Sequence, residues 1–88
     1  MKGHATLSKG ISINTIQGKR VLFSLRNGET FGLNDTAAVF LEELLVKDFD
    51  AAVTTCATRF DAPREEIRAD MTELVGELSN MGLIVVRA

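Results

Sequence analysis

Residues 21–40 read "VLFSLRNGETFGLNDTAAVF". They decide the fold because two strand patterns and a helix start follow one another with almost no residue to spare. Val21, Phe23 and Leu25 alternate on one face of an extended run. Asn27-Gly28 is a strong hairpin signal, since both residues tolerate the positive φ that tight turns need. "ETFGLN" then forms the returning strand, and Asn34 and Asp35 supply short polar side chains of the kind that cap a helix N-terminus. The alanine-rich helix that follows carries Ala37, Phe40, Leu41, Leu44 and Leu45 on one broad apolar stripe.

Two registers are open to this hairpin. A two-residue Asn27-Gly28 turn pairs Leu25 with Thr30 and puts Phe31 and Leu33 opposite the Val21/Phe23/Leu25 face. A turn with Gly28 as bulge residue shifts the pairing by one and gathers Val21, Phe23, Leu25, Phe31 and Leu33 on one side. A one-residue slip moves every side chain to the other face, so burial selects the bulged register as the expectation. Thr30 and Gly32 then point away from the core.

Upstream, "ISIN" alternates Ile11 and Ile13 with polar neighbours, which predicts a half-buried strand that turns around Gly18. Residues 1–9 are polar and are expected to be flexible. Downstream, a second helix opened by Asp50 shows Val53, Cys56, Ala57 and Phe60 at i, i+3, i+4, i+7. A third begins near Pro63 with the stripe Ile67, Met71, Leu74, Leu78 and Met81. Gly82 suits a left-handed helix end, with Leu83 folding back on the last turn. "LIVV" closes the chain as a short strand or an extended tail. The expected architecture is one α+β domain over residues 1–88, winged helix-turn-helix-like, with an N-terminal three-stranded antiparallel sheet followed by three helices.

Composition narrows the function. The chain has 88 residues, 45% of them hydrophobic, with a net charge of −2 and a single cysteine. A domain of this size buries only about 60–65% of its unfolded surface. The lone Cys56 excludes an internal disulfide and fits a reducing, cytoplasmic setting. No apolar run approaches the ~18 residues of a membrane span.

Catalytic and metal chemistry find no support. The one histidine, His4, lies in the polar N-terminal stretch. Cys56 sits on the apolar face of the second helix and reads as a small core residue rather than a nucleophile. Neither has a second ligand at metal spacing, and the glycines are too dispersed for a phosphate-binding loop. No enzyme activity, metal or cofactor is expected. A winged helix suggests DNA binding, but between Pro63 and Met81 two arginines face five acids, Glu65, Glu66, Asp70, Glu73 and Glu77. A helix with that balance is repelled by phosphates.

What remains is binding through backbone and apolar surface. The stretch Thr30 to Leu33 has neither charge nor proline, the usual devices that blunt a sheet edge. Either it is too short to need them, or it accepts an extended peptide as an added strand. Gly32 in a strand interior fits close approach by another backbone, or alternatively makes room for Phe23 across the hairpin.

The ordered set of the Gly28 turn, Phe31 to Asn34, Thr36-Ala37-Ala38, Phe60-Asp61, Asp70-Met71, the Leu74 to Leu78 spacing and Gly82-Leu83 resembles the PqqD-like family, also called RiPP recognition elements. It is most similar to the stand-alone leader-binding proteins of lasso-peptide biosynthesis, over about Ile11 to Val86. The resemblance implies a non-catalytic domain that binds the leader segment of a ribosomally made precursor peptide and presents it to processing enzymes. Those would be a leader peptidase of the cysteine-protease type and, transiently, a cyclase, with no nucleic acid and no membrane involved. A peptide chaperone for a radical SAM enzyme is the near alternative, and a winged-helix DNA-binding regulator is the alternative of a different class. Carried onto this sequence, Glu29, Thr30, Phe31, Gly32 and Leu33 supply the backbone ladder, and Arg68, Asp70, Met71, Leu74 and Val75 line the adjoining groove. Met71 and Leu74 read equally well as core, and Arg68 and Asp70 as solvated charges. Which flank of the third helix completes the groove stays open at this point.

Overall fold

The computed structural model describes residues 3–87. In chain order the elements are β1 (His4–Leu7), β2 (Ile11–Ile16), β3 (Lys19–Ser24), β4 (Thr30–Gly32), α1 (Asp35–Val46), α2 (Phe49–Phe60), α3 (Arg64–Asn80) and β5 (Ile84–Arg87). The α+β class, the antiparallel sheet β2-β3-β4 and the three helices are as expected.

The hairpin adopts neither expected register. Leu22 lies opposite Phe31, Val21 opposite Gly32 and Phe23 opposite Thr30. The connection is a loop of Leu25 to Gly28, closed when the Gly28 N–H donates to the Ser24 carbonyl at 2.9 Å and the Ser24 N–H donates to the Glu29 carbonyl at 2.9 Å. Gly28 takes φ +74°, and Asn27 Oδ1 accepts the Glu29 N–H. Directly paired residues share a face, so Ile13, Leu22 and Phe31 line up across the sheet toward the helices. Leu22 is fully buried, whereas Leu25 is 70% exposed in the loop. The core face is therefore Leu22, Ser24, Phe31 and Leu33, not Val21, Phe23 and Leu25. The physical reason is that β2 presents Ile11 and Ile13 to the core, and only this parity lets a β3 side chain join them. Thr30 and Gly32 do point away from the core and are exposed.

Residues 4–7 are not a frayed tail. They form β1 and pair antiparallel with β5, His4 opposite Arg87 through Leu7 opposite Ile84. Ala5 is buried, and the Gly3 carbonyl accepts the Phe49 N–H at 2.9 Å, fastening β1 to the start of α2. Met1 and Lys2, which the expected flexible stretch also covered, lie outside the described residues.

The helices follow their local signals closely. Asn34 Oδ1 accepts the Ala37 N–H at 2.7 Å, which satisfies one of the unpaired donors of the first turn. α2 starts two residues before the expected opener: Asp48 Oδ1 accepts the Ala51 N–H at 2.8 Å, and Asp50 lies inside the first turn. α3 ends with the Leu83 N–H on the Leu78 carbonyl and the Gly82 N–H on the Ser79 carbonyl. This is the paired bond pattern of a glycine-terminated helix, with Gly82 at φ +74°. Leu22, Leu41, Val53, Cys56 and Met71 form the fully buried centre. Of the expected α3 stripe, Ile67, Met71 and Leu78 are buried, Leu74 is half-buried and Met81 is exposed. An ion pair of Arg20 with Glu42 ties β3 to α1.

Candidate functional site

β4 ends the sheet order β2-β3-β4. In an antiparallel pair, residues alternate between turning their backbone groups toward the partner and away from it. The Glu29 carbonyl and the Leu33 N–H face β3, the latter donating to the Arg20 carbonyl at 3.0 Å. Thr30 and Gly32 occupy the alternate positions, so their N–H and C=O groups point to the open side. A Cβ built on Gly32 meets nothing within 4 Å. Packing against Phe23 therefore does not require this glycine, and its bareness keeps the edge clear.

The open edge runs beside α3. Past the end of β4 lies a cavity of about 270 Å³, walled by Asn34, Ala37 and Phe40 on one side and by Asp70, Leu74 and Glu77 on the other. At the opposite end, an opening of about 380 Å³ separates Glu29 and Phe31 from Met81 and Leu83. Asp70, Leu74, Glu77 and Met81 fall at i, i+4, i+7 and i+11, one stripe of the helix. That stripe is the flank of α3 turned toward β4, so β4 and α3 run antiparallel along a shared groove.

The other flank is occupied. Arg68 Nη2 donates to Asp50 Oδ1 at 2.9 Å, and its guanidinium lies 5.6 Å from the centre of the Phe49 ring. Val75 lines a small apolar cavity of about 30 Å³ with Ala5, Leu44, Phe49 and Val86, beneath the β1–β5 pair. Met71 points straight into the core. The structure thus brings together Glu29 to Leu33, Asp70 and Leu74, and it places Arg68, Met71 and Val75 outside the groove. Glu73, Glu77 and Met81 border it and were read from the sequence as helix acids and a stripe residue, not as groove residues. Their stripe was legible in the helical spacing, but its direction was not.

The remaining chemistry is structural. The Arg68 guanidinium holds the Asp50 carboxyl below the usual carboxylate range. A depressed folded-state pKa contributes stability above the ordinary carboxyl range, and that contribution is lost as pH falls through the folded value. The melting-temperature difference between the wild type and Asp50→Asn should accordingly narrow as pH is lowered from neutral into the strongly acidic range; a difference constant with pH would contradict the pairing. Burial pushes the Cys56 thiol up, which keeps it protonated and unreactive at neutral pH. Among the described residues no group of three or more His, Cys, Asp or Glu side chains could hold a metal ion, and no helix is long and apolar enough to cross a membrane.

Comparison with known proteins places this geometry. The family model of coenzyme PQQ synthesis protein D (PqqD) matches residues 19–84. No curated protein matches the sequence. A lasso peptide synthetase B1 solved in complex with the leader peptide is 26% identical, with a TM-score of 0.85, over 93% of this chain and 98% of that one. Two structures share the fold at 21% identity. TbiB1 in complex with the TbiA(beta) leader peptide has a TM-score of 0.80, over 90% of this chain and 93% of its own. The PqqD truncation of Methylobacterium extorquens PqqCD, described as a functional and stand-alone RiPP recognition element, has a TM-score of 0.75, over 92% of this chain and 87% of its own.

Proposed function

The chain belongs to the PqqD family, and from that premise we propose that it binds the leader segment of a ribosomally synthesised precursor peptide. The leader adds as a strand to the β4 edge, and its alternate side chains enter the groove beside α3. The bound leader is then delivered to the maturation enzymes of a lasso-peptide-type pathway, a cysteine-protease-type leader peptidase and a cyclase, in the cytoplasm. The domain itself contributes no catalytic group.

The observation that carries this reading is the edge itself. Thr30 and Gly32 present their backbone groups outward from an uncharged, proline-free strand, next to a groove with an apolar floor of Phe40 and Leu74. Main-chain hydrogen bonds give a docked strand affinity, and pockets for alternate side chains give it specificity. Service to a radical SAM enzyme as a PqqD-like peptide chaperone uses the same edge and is favoured by the family match. DNA binding is disfavoured by the acids exposed on α3, Glu65, Glu66, Asp70, Glu73 and Glu77.

Backbone NMR titration with a candidate leader peptide tests the proposal. The largest shifts are expected at residues 29–33 and at Asp70, Leu74, Glu77 and Met81. Shifts confined to α2 or to the β1–β5 pair would place binding elsewhere and overturn it.

A further inference from the structure

The two ends of the groove differ in charge. The end beyond Asn34 is bordered by Asp70, Glu73 and Glu77 and, among the described residues, by no cation. The end beside Glu29 is bordered by Lys9 and Arg26 against that one carboxylate. Asp70, Glu73, Glu77, Lys9 and Arg26 are all exposed, and among the described residues none forms an ion pair, so their fields are not cancelled locally. The first end is acidic and the second mildly basic, with the free β4 edge between them.

Resting on the strand-addition reading above, we propose that this polarity selects and orients the peptide. The ligand is an extended peptide with Lys or Arg in its N-terminal part and Asp or Glu in its C-terminal part. The direction follows from the sheet. Every pair in this sheet is antiparallel, and antiparallel pairing is the slightly more stable kind per residue. A strand added antiparallel to β4 runs from the Asn34 end toward the Glu29 end. Its N-terminal residues pass Asp70, Glu73 and Glu77, and its C-terminal residues pass Lys9 and Arg26. Placing like charges together at both ends disfavours the reverse charge order, so the groove rejects as well as selects.

The test is a selection of random dodecapeptides displayed on their own mRNA against the full chain at low salt. Asp70→Asn/Glu73→Gln/Glu77→Gln serves as counter-target. These side chains are exposed and, among the described residues, unpaired, and all three lie beyond the first turn of α3, where negative charge gains nothing from the helix dipole, so the variant keeps its fold. Selected peptides are expected to carry basic residues in the N-terminal half and acidic residues in the C-terminal half, and to shift the Thr30 and Gly32 amides. They should lose roughly tenfold in affinity for the triple variant, the sum of three exposed charge contacts, and most of that difference should vanish at ~1 M salt, where screening acts within about 3 Å. Peptides that shift Thr30 and Gly32 but show no charge order, or the opposite order, or bind the triple variant equally well, overturn the polarity and leave strand addition standing. An empty selection, or peptides that leave those two amides unmoved, overturns strand addition and the polarity with it.

Discussion

Replacing Gly32 with proline is expected to abolish leader binding while the domain stays folded. The register makes this a clean substitution. The Gly32 N–H points to the open side of β4, so its loss removes no bond of the β3–β4 ladder. The flanking bond from the Leu33 N–H to the Arg20 carbonyl remains, and space around a Gly32 Cβ is open. Proline deletes one outward donor and crowds the edge with its ring. The deleted hydrogen bond is worth about 0.5–1.5 kcal/mol net, and displacement of the incoming backbone adds to it, so affinity should fall by at least roughly tenfold. Gly32→Ala is the control: it keeps the N–H and should bind within about threefold of wild type, a change of well under 1 kcal/mol. Fluorescence anisotropy with labelled leader, beside circular dichroism for the fold, reads both. A folded Gly32→Pro protein with wild-type affinity would show that the β4 edge is not where the peptide docks.

Met71→Ala is the second large effect, and it acts on stability. Met71 is fully buried at the centre of the α3 face, among the core that includes Leu22, Leu41, Val53 and Cys56. Truncating a buried methionine to alanine costs about 2–5 kcal/mol, the spread reflecting how far the site collapses. A domain of this size holds only about 4–13 kcal/mol in total, so the midpoint of thermal unfolding should drop by roughly 10–30 °C. Leu74→Ala, one turn further along and half-buried at the groove, should shift the midpoint far less and weaken leader binding instead. A Met71→Ala protein as stable as wild type would mean that the side chain faces the groove rather than the core.

Local chemistry was readable wherever a decision needed only neighbouring residues. The Asn34 cap, the Gly82 terminator and the positive φ of Gly28 all depend on groups within four or five positions, and each appears as the pattern predicts. Asp48 took the capping role from Asp50 because both are short acids two residues apart at the same helix start, and either spacing satisfies the pattern. The hairpin register was harder. Val21, Leu22, Phe23 and Leu25 offer apolar residues to both faces, so alternation within the hairpin could not choose between them. The choice came from β2, which brings Ile11 and Ile13 to the face that Leu22 shares.

The uncharged, proline-free composition of Thr30 to Leu33 and the acidic balance of α3 are properties of the residues themselves, and the sequence alone determined them. The flank of α3 that borders the groove beside β4 is different in kind. Asp70, Leu74, Glu77 and Met81 on one side and Arg68, Thr72 and Val75 on the other are equally good amphipathic borders of the same core stripe. The pairing of β1 with β5, made between residues about eighty positions apart, covers the second flank and leaves the first beside β4. His4 to Leu7 has too little alternation to announce itself and "LIVV" left a strand and a tail equally open; each strand exists because the other supplies its hydrogen bonds. Only the tertiary structure could decide which side of the helix was left for a guest.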